Sequence, residues 1–157
     1  MSRNVAIVDA PVATVFAVLS DARRYPDWVV GASRLRTVDA DFPAPGSAFG
    51  HKLGLFWPLQ FNDETKVVRN QPGRRLTLRA EIGVFGAATV DLQLEEFDED
   101  RTRVVLEETP AMGPVRWFHN PVQDAAFWVR NWISLACLRS IAEGRAGPPK
   151  PPTGEPE

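Results

Sequence analysis

Two histidines, His51 and His119, and one cysteine, Cys137, are the residues of this 157-residue chain whose side chains most readily do acid–base or nucleophilic work near neutral pH. His51 stands in Phe49-Gly50-His51-Lys52-Leu53, where strand alternation puts it on one face with Phe49, Leu53 and Leu55. An imidazole among apolar side chains can act as general acid or base. The plainer reading is a histidine satisfied by a neighbouring strand or turned outward, and a single bulge in residues 47–57 would turn it so. Glu108 shares a face with Val104 and Leu106, and burial there would favour its neutral form. A bulge would exchange it with Glu107. If both side chains face one cavity, His51 and Glu108 can form an acid–base pair. His119, just before Asn120-Pro121, reads as a loop histidine.

Other chemistries lack their residues. There is no Ser-His-Asp order with a nucleophile elbow, no Gly-rich phosphate loop and no His/Cys cluster at metal spacing, so hydrolase, nucleotide and zinc readings are disfavoured. No metal and no cofactor is expected. Cys137, between Ala136 and Leu138, reads as a small buried side chain.

Five tryptophans, Trp28, Trp57, Trp117, Trp128 and Trp132, each bury roughly 150–250 Å² when enclosed. Some belong to a core, and Trp132 and Trp117 are the ones expected to touch a cavity. A ligand covering about 300 Å² of apolar surface would gain roughly 7 kcal/mol before ordering costs, which corresponds to micromolar binding or weaker.

These residues need a frame. Arg3 to Asp9 alternate weakly, and from Pro11 the apolar positions Val12, Val15, Phe16 and Leu19 follow one helix face. A second short helical piece covers Ala22 to Trp28. Six strands are expected near 33–39, 47–57, 59–69, 75–82, 87–97 and 102–109, separated by Phe42-Pro43-Ala44-Pro45-Gly46, Asn70-Gln71-Pro72-Gly73, Gly83-Val84-Phe85-Gly86 and Asp98-Glu99-Asp100. Links this short make an antiparallel meander. Asn120-Pro121-Val122-Gln123 is a helix start, and the helix it opens runs to about Glu143 and stops at Gly144. Its apolar stripe is read as Val122, Ala126, Val129, Ile133, Ala136 and Cys137, flanked by Trp128, Trp132 and Leu135, with Asp124, Arg130, Asn131 and Ser134 on the exposed side. Gly147-Pro148-Pro149-Lys150-Pro151-Pro152 forms neither helix nor ladder, so residues 1–146 read as one domain and 147–157 as a disordered Pro-rich tail.

Composition agrees with a single globular domain: 44% hydrophobic, 24% charged, net charge −2. The 18 basic residues are scattered among 20 acids, not gathered in a stripe, which argues against nucleic acid as partner. The apolar run from Ala125 to Ala142 is broken by Arg130, Asn131 and Arg139, so it reads as a core helix and no stable membrane insertion is expected. With no signal-peptide pattern and one cysteine, a bacterial cytoplasm is the expected location.

The order of elements, one strand, two short helices, a six-strand meander and a long C-terminal helix, resembles the helix-grip arrangement of the START-like (SRPBCC) superfamily. More narrowly, Ala10-Pro11-Val12-Ala13-Thr14-Val15-Phe16-Ala17-Val18-Leu19-Ser20-Asp21 followed by Tyr25-Pro26-Asp27-Trp28 resembles the polyketide cyclase/dehydrase and lipid-transport branch. Phe42-Pro43-Ala44-Pro45-Gly46-Ser47 and Arg130-Asn131 with Ser134-Leu135 continue the likeness. These are caps, turns and core positions, which mark a fold and not a reaction. The resemblance implies an α+β fold, a seven-stranded curved antiparallel sheet round the C-terminal helix, with a cavity between them for a hydrophobic or aromatic small molecule.

The expected lining is Trp28, Phe49, His51, Leu53, Phe61, Leu78, Ala80, Trp117, Phe118, Val129, Trp132, Ile133 and Ala136. Three functions are expected in turn: binding of a small lipid- or polyketide-like ligand, cyclisation or dehydration of a polyketide, or protein interaction through a sheet edge or the Trp117-Phe118 surface, which an exposed apolar patch with a collapsed cavity would favour. Oligomeric state is left open.

Overall fold

Alternation along the first seven described residues of strand β1 (Ser2–Val8) buries Ser2, Asn4 and Val8 on one face. The chain then turns at Pro11, whose extended backbone and carbonyl open helix α1 (Val12–Leu19) by accepting from the N–H groups of Thr14 and Val15. The face with Val15 and Leu19 is fully buried. Asp21 caps the next turn by accepting from the Arg23 N–H at 3.0 Å. That turn delivers α2 (Tyr25–Trp28), whose Tyr25 and Trp28 are both buried.

Six strands follow: β2 (Ala32–Val38), β3 (Ala48–Phe56), β4 (Leu59–Gln71), β5 (Arg75–Glu81), β6 (Ala87–Asp98) and β7 (Arg101–Met112). They form an antiparallel meander, and β1 joins beside β7, giving one seven-stranded sheet in the order β1-β7-β6-β5-β4-β3-β2. Helix α3 (Pro121–Ala142) packs against β1, α1 and α2. The architecture is the α+β helix grip. These elements come from a computed structural model that describes residues 1–56, 59–81, 86–112 and 121–145, without the side chains of 53–56, 59–62, 112 and 123. The expected tail, the cap at Asn120 and the loop aromatics Trp57, Trp117, Phe118 and His119 lie outside the described residues.

Two glycines set chain reversals that other residues resist. Gly73, at φ +70°, closes the β4–β5 turn. Gly144, at φ +68°, ends α3: its N–H bonds the Ile141 carbonyl while the Arg145 N–H reaches back to Ser140. That pair of bonds is the Schellman arrangement, which satisfies carbonyls the helix would otherwise leave open.

The sheet face covered by α3 carries the core. Phe49, Val67, Leu76, Leu78, Leu92, Val104 and Leu106 meet Leu135, Leu138 and Ala142 of α3 together with Val15, Leu19, Tyr25 and Trp28. Tyr25 stacks within 4.7 Å of Phe49 and 5.0 Å of Trp28, and Phe42 meets Phe49 edge-on at 5.3 Å. These tilted and edge-on pairs suit the ring quadrupoles.

Of the stripe expected on α3, Cys137 and the flanking Leu135 are buried and Ile133 packs against the core, but the remainder is overturned. Val129 is 47% and Trp132 56% exposed, as are Val122 and Trp128, while Asn131, Ser134, Leu135, Cys137, Leu138 and Ala142 are buried. At 3.6 residues per turn, the buried face lies about 140° round the helix from the expected stripe. The reason is chemical: the polar residues of this face find buried partners, so apolar periodicity marks the wrong side.

Candidate ligand-binding site

Strands β3 and β4 pair without interruption from Ala48 to Gly54, which puts Phe49 opposite Thr65 and His51 opposite Asp63. With no bulge before His51 on this ladder, the imidazole stays on the covered face and is 5% exposed. Asp63 is buried beside it, with its Oδ2 3.7 Å from His51 Nε2. That separation is beyond a hydrogen bond. Burial first, and the charge of Arg130 second, push His51 down to about 4. Burial pushes Asp63 up to about 7, with the charges of Glu81 and Glu64 adding to the rise; a bond from the Glu64 backbone and the charge of Arg130 oppose it. At neutral pH the imidazole is uncharged, and the Asp63 carboxyl keeps its proton to far higher pH than an exposed carboxyl does.

Glu108 stands on the same covered face, two inward-facing rows along the strands from the His51–Asp63 pair. Ladder partners run Val67, Leu78, Val90, Glu108, Ser2 across β4, β5, β6, β7 and β1. Glu108 is buried and Glu107 faces outward, where it accepts from Arg3 Nε at 2.9 Å. From α3, Asn131 Nδ2 donates to Glu108 Oε2 at 2.7 Å and to Ser2 Oγ at 2.9 Å. From the neighbouring position, Arg130 Nη1 approaches Glu108 Oε1 at 3.7 Å. Ser134 Oγ donates to the Arg130 carbonyl and accepts from the Val30 N–H, both at 3.0 Å. The polar face of α3 is thus fastened to β1, β7 and the segment after α2.

Between these groups lies a partly enclosed cavity of about 70 Å³. Its apolar wall comprises Tyr25, Trp28, Phe49, Leu78, Val90 and Leu106, and its polar wall His51, Asp63, Thr65, Glu108, Arg130 and Asn131. Four buried atoms of the lining side chains have no hydrogen-bond partner among the described residues: Trp28 Nε1, His51 Nδ1, Asp63 Oδ1 and Arg130 Nε. Buried polar atoms are nearly always paired, so four orphans among the residues lining one cavity are exceptional.

Of the residues expected at the cavity, Trp28, Phe49, His51, Leu78, Ala80 and Glu108 line it. Ile133 packs against the core and Ala136 is half-buried, and neither borders the cavity. Val129 and Trp132 face away from it. Side chains of Leu53 and Phe61, and the residues Trp117 and Phe118, lie outside the described residues. Sequence reasoning passed over Asp63, Arg130 and Asn131. Asp63 was accessible from its spacing, since Phe61, Asp63, Thr65 and Val67 alternate along β4, but the polar run Asn62-Asp63-Glu64 hides that pattern. Among the described residues no group of three or more His, Cys, Asp or Glu could hold a metal ion, and no helix is long and apolar enough to cross a membrane.

Fold and site together define a helix-grip domain with a polar-ended internal cavity. The chain belongs to the polyketide cyclase/dehydrase and lipid transport family, whose model matches residues 8–127. No curated protein sequence matches it. Among solved structures it is similar to protein CV1439 from Chromobacterium violaceum, at 17% identity and TM-score 0.68 over 90% of this chain and 95% of that one. It is also similar to CalU16 from Micromonospora echinospora, at 21% identity and TM-score 0.63 over 89% and 74%. The di-domain ARO/CYC StfQ from the steffimycin biosynthetic pathway is a third, at 14% identity and TM-score 0.69, with 90% of this chain covering 50% of that one. Identities this low establish the shared fold alone.

Proposed function

We propose that this domain binds a small hydrophobic or aromatic ligand, lipid- or polyketide-like in character, whose polar end enters the cavity under α3. The observation that carries the reading is the cavity itself, with an aromatic wall on one side and four unpartnered polar atoms among its lining residues. Its volume of about 70 Å³ is well below the roughly 300–1,000 Å³ of sites that engulf a drug-sized ligand. Only the end of a larger molecule fits. Native mass spectrometry of freshly purified protein tests this: a mass increment that vanishes on denaturation is expected, and failure of every apolar probe to bind the native protein overturns the reading.

A second reading, cyclisation or dehydration of a polyketide, is supported by two titratable side chains, His51 and Glu108, on one cavity wall. It predicts that His51→Ala and Glu108→Gln each slow turnover of a candidate poly-β-ketone, and unchanged turnover in both rejects it. The interaction-module reading called for an exposed apolar face beside a collapsed cavity. Val122, Trp128, Val129 and Trp132 supply the face, but the cavity beside it remains open.

A further inference from the structure

The cavity's polar wall is balanced in charge and mixed in hydrogen-bonding character. Arg130 brings a positive charge, but the Glu108 carboxyl lies 3.7 Å from it and Asn131 holds that carboxyl in place at 2.7 Å. Around Asp63 stand His51 from β3, Glu64 from its own strand, Glu81 from β5 and Arg130 from α3. Two acids and one uncharged imidazole against one guanidinium do not make a seat for an anion. An entering carboxylate would have to be stripped of water for little return.

The unpartnered atoms describe the guest that would satisfy them. Trp28 Nε1 and the Arg130 Nε each carry a hydrogen to donate. A neutral imidazole offers one donor and one acceptor nitrogen, and a carboxyl offers an acceptor oxygen at the orphaned Asp63 Oδ1. A group that both donates and accepts from a single atom meets such a mixed set, and a hydroxyl is the smallest that does. The aromatic wall of Tyr25, Trp28 and Phe49 suits a flat ring behind it.

We propose that this cavity selects a neutral ligand through a hydroxyl carried on an aromatic ring, seated among His51, Asp63, Trp28 and Arg130, and that it rejects the matching carboxylate. The proposal rests on the pocket-binding reading and specifies its ligand. Asp63 sets the rejection. As its carboxyl ionises near neutral pH the wall becomes more negative, so discrimination against an anion grows as pH rises.

Phenol, toluene and benzoate, alike in ring and differing in the polar group, are the probes. Titrations of the full chain at pH 6 and pH 8 are followed through the His51 imidazole resonances. Phenol is expected to bind about tenfold more tightly than toluene. Benzoate, ionised throughout, is expected below phenol, with the gap widening severalfold from pH 6 to pH 8. In Asp63→Asn, which keeps shape and hydrogen-bonding capacity without a charge, that gap should not change with pH. Toluene or benzoate equalling phenol, or a gap that widens as much in Asp63→Asn, overturns the proposal and leaves the pocket reading standing. If none of the three binds, both fail.

Discussion

His51 and Asp63 are ladder partners on β3 and β4 whose nearest nitrogen and oxygen stand 3.7 Å apart, out of water and out of hydrogen-bond reach. In the unfolded chain near pH 5 the imidazole is protonated and the carboxyl is ionised. In the folded protein the preferences are reversed, with His51 near 4 and Asp63 near 7. Folding leaves one proton on the pair and moves it from nitrogen to oxygen, because burial penalises two separate charges more than it penalises none.

This exchange predicts how stability depends on pH. The raised Asp63 gives a contribution complete below its unfolded value of 3.8 and lost as pH climbs through about 7. The lowered His51 gives one complete above its unfolded 6.5 and lost as pH falls through about 4. Between pH 4 and 6.5 these slopes oppose at about 1.4 kcal/mol per unit each and cancel. Asp63→Asn should unmask a stability that rises over this range, and His51→Gln one that falls, each by about 1–3 kcal/mol. Urea denaturation at half-unit steps of pH checks this, and parallel curves for the three proteins would contradict it.

Asn131 is a second test, independent of titration. Its amide supplies hydrogens to Glu108 and Ser2, both buried. Asn131→Ala would leave a buried carboxyl oxygen without its donor, so a loss of about 1–3 kcal/mol is expected in chemical denaturation. Adding Glu108→Gln to that variant should lose less than the two single changes summed, since they share one interaction.

The orientation of α3 is checked by two apolar truncations. Leu138 is fully buried, and Leu138→Ala should cost about 2–5 kcal/mol through lost burial and the cavity left behind. Trp132, although larger, is 56% exposed, and Trp132→Ala should change stability by no more than about 0.5 kcal/mol. The reverse order would turn the helix back to the face that its apolar spacing suggests.

On the uncovered side of the sheet, Asp91 gathers three donors: Arg75 Nε at 2.8 Å, Thr77 Oγ1 at 2.6 Å and Gln93 Nε2 at 2.8 Å. Burial pushes its carboxyl up, but these bonds and the charge of Arg75 outweigh it, and the group sits below the ordinary range. Its contribution is therefore present above about pH 4 and lost in more acid solution. Asp91→Asn should lower stability at pH 7 by about 1–2 kcal/mol and flatten the acid limb of the denaturation profile.

The order of the six-strand meander and the helix bounds were legible because their signals are local, whereas the place of β1 beside β7 was not. Gly73 and Gly144 mark reversals that only their backbone freedom makes cheap, and the alternation of Leu76 with Leu78, or of Leu92 with Leu94, is written in adjacent residues. The buried face of α3 was not legible, since it is polar for a reason that lies on other strands. Asn131 has its partners on β7 and β1, and Ser134 has one just after α2. Asp63 escaped for a related reason: in a polar run an inward acid looks like its outward neighbours until the ladder sets it opposite His51. The polar residues whose burial the local pattern hides, Asp63, Asn131 and Ser134, all line the cavity.

β1 is synthesised well before either of the elements that hold it. Its ladder partner β7 and the α3 side chain that bonds Ser2 across 129 positions both emerge from the ribosome long after it. Bringing such distant segments together is entropically costly, and domains dominated by pairings of this kind fold slowly. Until they meet, β7 presents an open edge to whatever strand comes near, and Glu108 has no Asn131 to hold it. Folding yield should therefore depend on how quickly β1 returns to that edge once β7 has emerged.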